Sequence, residues 1–358
     1  MYIKGKLNGT DNRMPSDKSK KEEEKEEDST EHGFANRGEK QRTEIMTDEI
    51  RIGTSGWSYK EWEGVFYPDS KTPKLTFYSK VFSTAEIDST FYSNPSRGLA
   101  LGWSRNTPSN FEFAVKIPKS ITHDRQLDLS KGAEIELKKF LELIKPLHDS
   151  GKLGPLLIQL PPSFGANKSK ILQQFFDALP DGYRFAVEFR NKSWLRDKES
   201  VLELLKQYQI ANTIVDEPLL PADLTITTSD FAFIRWHGRG KAPWYNYRYS
   251  QSEIEPWVEK VKQLSFRVKK VYGYFNNHFH GFAVENGLDF IDKLGLANDQ
   301  QKKFLEIVRN NIEGRGRREL LEEGKSRLVK EKDESSEQAE EEREKHQKDL
   351  SQSSLTQY

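Results

Sequence analysis

The chain contains 358 residues, with 56 lysine and arginine side chains and 56 aspartate and glutamate side chains, so its formal net charge is zero. It has no cysteine, which excludes disulfides, thiolate nucleophiles and cysteine-based zinc or iron–sulfur sites. No apolar run approaches the roughly 18 residues that a membrane helix needs, and the N-terminus lacks the apolar core of a signal peptide. We therefore expect a cytoplasmic protein without a membrane partner.

Composition divides the chain into three parts. All seven tryptophans lie between residues 51 and 312, whereas residues 1–50 and 313–358 each carry 10 basic and 13 acidic side chains. Segments so rich in charge cannot bury enough apolar surface to offset the entropy lost on ordering. We predict a disordered N-terminal tail over 1–50, a folded domain over 51–312, and a helical or disordered C-terminal tail over 313–358.

Short runs of β-branched and aromatic residues alternate with helical patterns through the central domain. The predicted strands are RIGTSG (51–56), TAEIDSTFY (84–92), FEFAVKIP (111–118), PLLIQLP (155–161), RFAVEFR (184–190), NTIVD (212–216), FAFIRWHG (231–238) and VYGYFNN (271–277). The clearest helical patterns cover 132–149, 169–179, 198–208 and 252–264, the last with a possible capping box formed by Ser252 and Glu255.

Eight strands, each followed by a helix or a helix-like connection, predict an α/β fold of the (β/α)8 TIM-barrel type. An open doubly wound sheet is the alternative, but the sequence has neither GxGxxG nor GxxxxGK[ST] to mark a nucleotide site. The connection after the third strand, with residues 120–129 before its helix, is the longest and is a candidate lid over the barrel mouth.

Polar residues recur near the C-terminal ends of the predicted strands. Because these ends meet at one mouth of a parallel barrel, where barrel enzymes carry out their chemistry, they predict a shared site. Proton transfer is assigned to Asp88, Glu188 and His237; for Glu188 this role requires a pKa raised by burial, and the alternative is an ion pair with Arg190 on the same strand. Substrate binding is assigned to Lys116, Gln159, Arg190, Asp216, Arg235, Asn276, Asn277, Trp57 and Tyr59. The alternative is a structural ion-pair network without catalysis.

The loops that follow the last two strands add further candidates. His237 precedes a Gly-Arg-Gly turn, which suits an anion site after the seventh strand; the alternative is a hydrogen-bonded histidine in the core. The stretch WYNYRYS either packs over the mouth or stacks on a ring or base. His278 and His280, with Asp88 or Glu188, are a weak metal alternative, and no metal ligand is assigned.

These motifs, taken in order, resemble those of the DUF72 (YecE-like) family. The resemblance rests on RIGTSGWSYKEW, EIDSTFY, LLIQLPPSF, EFRNKSW, RWHGRGKAPWYNYRYS and YFNNHFHGFAVEN, and it covers nearly all of residues 51–295. It implies a TIM barrel and implies no particular reaction.

Three functions remain open. The first is an enzyme that acts by acid–base chemistry on a small anionic or polyol-like substrate. The second is a barrel that binds or processes nucleic acid, for which the central domain's net charge of +6 is modest support. The third is a barrel that binds a ligand without catalysis. The sequence assigns no cofactor and no oligomeric state.

Overall fold

The computed structural model describes residues 50–196, 198–241 and 243–318. All eight predicted strands are present. They are β1 (Ile50–Thr54), β2 (Thr84–Ile87), β3 (Glu112–Lys116), β4 (Leu153–Gln159), β5 (Phe185–Glu188), β6 (Ala211–Asp216), β7 (Phe231–Trp236) and β8 (Lys270–Phe275). Six are shorter than their sequence patterns, β4 has the predicted length shifted towards the N-terminus, and β6 is one residue longer. The predicted tails fall almost entirely outside the described residues.

Helices lie between most of the strands. They are α1 (Lys74–Tyr78), α2 (Arg97–Arg105), α3 (Ala133–Asp149), α4 (Ser169–Asp177), α5 (Lys198–Gln207), α6 (Gln251–Ser265), α7 (Phe282–Lys293) and α8, which covers residues 299–318 of the described chain. α8 runs past the predicted domain end at 312, and Arg315 donates hydrogen bonds to the carbonyl oxygens of Glu61 and Glu63. None of the described helices is long and apolar enough to cross a membrane.

The strands form a nearly closed parallel barrel, which confirms the predicted TIM-barrel fold. From β2 to β8 each strand pairs with its neighbour in sequence, and β8 pairs with β1. Between β1 and β2 the contact is a single parallel bridge from Ser55 to Glu86, next to a hydrogen bond of 2.8 Å from the Gly56 N–H to the Glu86 carbonyl. At Gly53 the two strands lie so close that a Cβ would stand 2.2 Å from the Thr84 carbonyl oxygen.

Three local predictions need correction. Residues 217–230, all of them described, contain no helix, so the connection from β6 to β7 is irregular. β2 ends at Ile87, and the residues predicted to continue it form a short 3₁₀ helix over Ser89–Phe91. The capping box of α6 is formed by Ser250 and Glu253, two residues earlier than the predicted pair, because the helix itself begins at Gln251.

The predicted lid after β3 is not an irregular loop. It contains a helical turn over Ser120–Asp124, and Ile121 and Leu127 on either side of its end are fully buried. Burial of these two side chains anchors the segment to the outer core of the barrel.

The barrel interior is filled by aromatic side chains from two adjacent strands and by mostly small side chains from the strands opposite. Phe231 and Phe233 of β7 and Tyr272 and Tyr274 of β8 fill it from one side, and small side chains from the opposite strands make room for them. The interior residues are Ala114, Leu157, Ala186, Ala211, Phe231, Phe233, Tyr272 and Tyr274. This apolar plug closes the barrel below its C-terminal mouth, so that the polar side chains above it face a closed floor.

Candidate functional site at the C-terminal mouth

An arginine held between two glutamates forms the base of the site. Arg235 of β7 donates from Nε and Nη2 to the two carboxylate oxygens of Glu86 at 2.9 and 2.7 Å, and from Nη1 to Glu188 Oε2 at 2.7 Å. All three side chains are buried. Buried charges are costly unless they are paired. Here the guanidinium donates to both carboxylate oxygens of Glu86 and to one oxygen of Glu188.

Glu188 is saturated by donors. Its Oε1 accepts hydrogen bonds of 2.7 Å from Gln159 Nε2 and from Arg190 Nε, while Oε2 is taken by Arg235. Burial alone would raise the pKa of this carboxyl, but the charges of Arg190 and Arg235, with a contribution from His237, hold it well below its usual range. Glu188 therefore stays ionised, which is the opposite of the raised pKa that a proton-transfer role requires.

His237 lies at the centre of the same network and is fully buried. Its Nε2 is 3.3 Å from Arg190 Nη2 and from Arg235 Nη1, and its Nδ1 is 2.9 Å from Asn276 Nδ2. Burial lowers the pKa of His237 to about 4, against the attraction of Glu188, so the imidazole is neutral at physiological pH. A neutral imidazole accepts on one nitrogen and donates on the other, and here both face polar partners.

A cavity of about 310 Å³ opens above this network. Lys116, at the end of β3, projects into it, with its ammonium 3.9 Å from the centroid of the Phe91 ring. The cavity brings together most of the predicted site residues. Its lining comprises Asp88, Phe91, Tyr92, Lys116, Gln159, Arg190, Arg235, His237, Trp244, Tyr245, Asn276 and His278.

A second cavity of about 340 Å³ adjoins the first and shares Asp88, Tyr92 and His278 with it. Trp57 and Tyr59, predicted to cap the mouth, line this second cavity. The Tyr59 ring stacks on His278 with centroids 4.2 Å apart, so these aromatic side chains form a wall between the two spaces.

Two predicted binding residues point elsewhere. Asn277 is fully buried, and its amide donates at 2.8 Å to the Tyr247 carbonyl and to Asn286 Oδ1 of α7, which ties the loop after β7 to that helix. Asp216, also buried, pairs with Arg239 at 2.5 Å. Neither side chain lines the cavity that holds the other candidates.

Two carboxylates were missed by the sequence-based assignment. Glu86 shares a strand face with Asp88 in the alternating pattern, but only Glu86 belongs to β2, and it reaches Arg235. Glu217, next to Asp216, is buried with its Oε2 unpartnered within the described chain, and burial raises its pKa to about 7. Glu217 could have been found from the sequence, because it is an acidic residue directly after the end of the predicted strand NTIVD.

The opposite end of the barrel also carries an ion network. Glu112 of β3 contacts Lys270 at 2.6 Å, Arg51 at 3.1 Å and Arg184 at 3.1 Å, and it accepts a hydrogen bond from the Tyr272 hydroxyl. Clustered charge at strand ends is therefore not peculiar to the C-terminal mouth, and it does not by itself identify a site. The distinguishing feature of the mouth is the cavity above the network.

Metal binding has no evident basis in the described part of the chain, where no group of three or more histidine and acidic side chains is placed to hold an ion. His278 contacts Glu61 through Nδ1 at 3.1 Å, and the adjacent loop residue His280 adopts a left-handed backbone with φ of 55°.

Comparison with known proteins gives a family for this barrel. The family model described as "Protein of unknown function DUF72" matches residues 51–308. The chain belongs to the DUF72 family. Among curated relatives, UPF0759 protein YunF of Bacillus subtilis (strain 168) is 30% identical over 285 residues, which is 71% of this chain and 100% of the relative. UPF0759 protein YecE of Escherichia coli (strain K12) is 28% identical over 170 residues, covering 47% of this chain and 59% of the relative.

Solved structures of DUF72 proteins share the barrel. A family member from Thermotoga maritima MSB8 matches with a TM-score of 0.62 and 35% identity, over 69% of this chain and 99% of that protein. A member from Enterococcus faecalis V583 matches with a TM-score of 0.62 and 28% identity, over 70% and 97% of the two chains. The family assignment thus agrees with the fold, and the DUF72 name carries no activity with it.

Proposed function

We propose that this DUF72 barrel is an enzyme that binds a small anionic substrate in the cavity at its C-terminal mouth and acts on it by polar, acid–base chemistry. The observation that carries the proposal is a pair of cationic groups. The Lys116 amine and Arg190 Nη1 have no hydrogen-bonding or ionic partner among the described side chains, and both residues line the cavity.

The hydrogen bonds of the two carboxylates explain why these two cationic groups have no partner among the described side chains. Both oxygens of Glu86 accept from Arg235, and the oxygens of Glu188 accept from Arg235 and from Arg190 Nε. Neither carboxylate pairs with Lys116. An ammonium in a side chain that is only 9% exposed is costly without a counter-charge. An anionic group bound between Lys116 and Arg190 would supply that counter-charge, and the free edge of a guanidinium suits carboxylate or phosphate oxygens.

The other residues of the cavity then take distinct roles. Gln159 and Asn276 are fixed by Glu188 and His237, and they orient the network from below. Glu188 holds the two arginines in position and remains ionised. Proton transfer falls to Asp88 and His237, the first at the junction of the two cavities and the second neutral and able to accept a proton.

Anion binding is tested directly with glycerol 3-phosphate and inorganic phosphate as probes. We expect saturable heats of binding in isothermal titration calorimetry, and we expect them to be lost in Arg190→Met and in Lys116→Met. They should be retained in Arg196→Met, which removes an exposed arginine that does not line the cavity. Melting curves of each variant establish that it folds. Binding that survives both cavity substitutions, or that is absent from the wild type, contradicts the proposal.

Turnover distinguishes an enzyme from a barrel that only binds. A panel of phosphorylated and carboxylated small molecules is incubated with the wild type and with Asp88→Asn, and products are followed by mass spectrometry. Product formed by the wild type and lost in Asp88→Asn supports catalysis. Retardation of single-stranded DNA or RNA that weakens steeply with added salt would instead favour the nucleic-acid alternative.

A further inference from the structure

We infer that the Lys116 amine is a nucleophile that forms an imine with an aldehyde or ketone substrate carrying an anionic group. This inference rests on the proposed function and refines it: the protonated form of Lys116 contributes to anion binding, whereas the unprotonated form, also present near neutral pH, reacts while Arg190 holds the anionic part of the substrate.

The placement of Lys116 is the first support. The residue ends β3, so its backbone is fixed by the barrel, and its carbonyl accepts a hydrogen bond of 2.6 Å from Thr90 Oγ1. Its amine lies 3.9 Å from the Phe91 ring centroid and makes no hydrogen bond or ion pair with any described side chain. A covalent role needs an amine that is held in place yet not engaged by a carboxylate, and Lys116 meets both conditions.

The electrostatics of the cavity point the same way. Burial and then the positive charge of Arg235 lower the pKa of Lys116 to about 8, although Glu86, Glu188 and Asp88 oppose the shift. A lysine in water has a pKa of about 10.4, so near neutral pH a far larger share of the Lys116 amine is unprotonated and nucleophilic.

The covalent step balances within the cavity. The nitrogen lone pair attacks the carbonyl carbon and forms the C–N bond, while the C=O π pair moves to oxygen and is protonated. The nitrogen gives up one proton to balance this protonation, which leaves a neutral carbinolamine. The C–O bond then breaks with its electron pair on oxygen, the second nitrogen proton is transferred to the departing hydroxyl, and the nitrogen lone pair forms the C=N bond, releasing one molecule of water. Asp88, which lines the same cavity, is the carboxyl placed to pass these protons.

The second support is the proximity of an anion-binding group. Arg190 Nη1 lacks a partner within the described residues and lines the same cavity as Lys116. The volume of about 310 Å³ is at the lower end of the range of roughly 300–1,000 Å³ typical of small-molecule pockets. The geometry therefore fits a short carbonyl compound with a phosphate or carboxylate group.

Reductive trapping tests the inference. The full chain is incubated near neutral pH with substoichiometric glycolaldehyde phosphate and sodium cyanoborohydride, which reduces an imine to a stable secondary amine, and the labelled lysines are mapped by peptide mass spectrometry. We expect labelling of Lys116 at least about tenfold above that of any exposed lysine, such as Lys119, because more of its amine is neutral. Uncharged glycolaldehyde is the matched probe and should lose most of this preference.

Variants separate the two proposals. Arg190→Met should abolish the advantage of glycolaldehyde phosphate over glycolaldehyde, and Lys119→Arg should leave labelling of Lys116 unchanged. Label spread evenly over exposed lysines of the wild type overturns the imine inference, and this readout needs no Lys116 variant to fold. If glycerol 3-phosphate binds in an Arg190-dependent way while Lys116 stays unlabelled, the imine fails and the anion-binding proposal stands. If no anion binds, the proposed function itself fails.

Discussion

Arg235 and Glu86 are 149 residues apart in the chain, yet the guanidinium donates to both carboxylate oxygens, at 2.9 and 2.7 Å, inside the barrel. The pair joins β7 to β2 across the mouth. β2 contacts β1 through a single bridge, between Ser55 and Glu86, so the ion pair of Glu86 with Arg235 also stabilises β2 where the ring has the fewest strand-to-strand hydrogen bonds. Stability and site geometry thus depend on the same side chain.

Replacing Arg235 should destabilise the whole barrel. Arg235→Met leaves Glu86 without a counter-charge and Glu188 with one fewer, both fully buried, so we expect a loss of about 3–5 kcal/mol in the free energy of unfolding. Urea denaturation at neutral pH measures it. Lys145→Met is the control, because Lys145 pairs with Asp149 on the exposed face of α3 and such pairs contribute about 0–1 kcal/mol. An equal loss of unfolding free energy in the two variants would show that the buried ion pair does not stabilise the barrel more than an exposed one.

Glu188→Gln should lower stability in a pH-dependent way. The folded-state pKa of Glu188 lies well below its unfolded value, so its ion pairs stabilise the fold fully above about pH 4.5 and lose effect as the pH falls further. We expect Glu188→Gln to cost about 2–4 kcal/mol at pH 7 and less at pH 3. Denaturation curves of both proteins at several pH values give the difference directly. A gap that widens towards acid would contradict the low pKa.

Glu217→Gln should have the opposite pH dependence. Because burial raises the pKa of Glu217 to about 7, ionisation disfavours the folded state increasingly as the pH rises from about 4.5 through 7. Removing the charge should therefore stabilise the protein by about 1–3 kcal/mol at pH 8 and leave it nearly unchanged at pH 4. Stability curves of wild type and variant at these two pH values check it. Equal effects at pH 4 and pH 8 would mean that Glu217 titrates normally.

Gly53→Ala should weaken the closure of the barrel. The added methyl group would stand 2.2 Å from the Thr84 carbonyl oxygen, and backbone atoms of two paired elements cannot yield without moving a strand. We expect a loss of about 1–3 kcal/mol or more in the free energy of unfolding. Gly102→Ala is the matched control: Gly102 lies within α2 with nothing within 4 Å of the new methyl group, so alanine should be neutral or stabilising. A similar cost at both sites would show that contact between β1 and β2 is not responsible.

Much of the candidate site could be anticipated from strand ends alone. Lys116, Gln159, Arg190 and Arg235 were assigned because each lies near the C-terminal end of an apolar alternating run, and all four line one cavity. The same reasoning misplaced the end of β2 by several residues, because TAEIDSTFY alternates beyond Ile87 although the backbone turns there. Glu86 and Asp88 share the polar face of this pattern, but only Glu86 lies within β2 and reaches Arg235.

The amino-acid sequence alone determined that the central part of this chain folds as eight parallel strands in a barrel, because hydrophobic periodicity is a local property and the hand and order of βα units follow from it. Only the tertiary structure decided what the polar side chains at the mouth do. The ionisation state of Glu188 and the availability of Lys116 depend on burial and on distances between side chains from different strands. Coulomb energies change steeply over a few ångströms in a medium of low polarity, and the sequence does not give these distances.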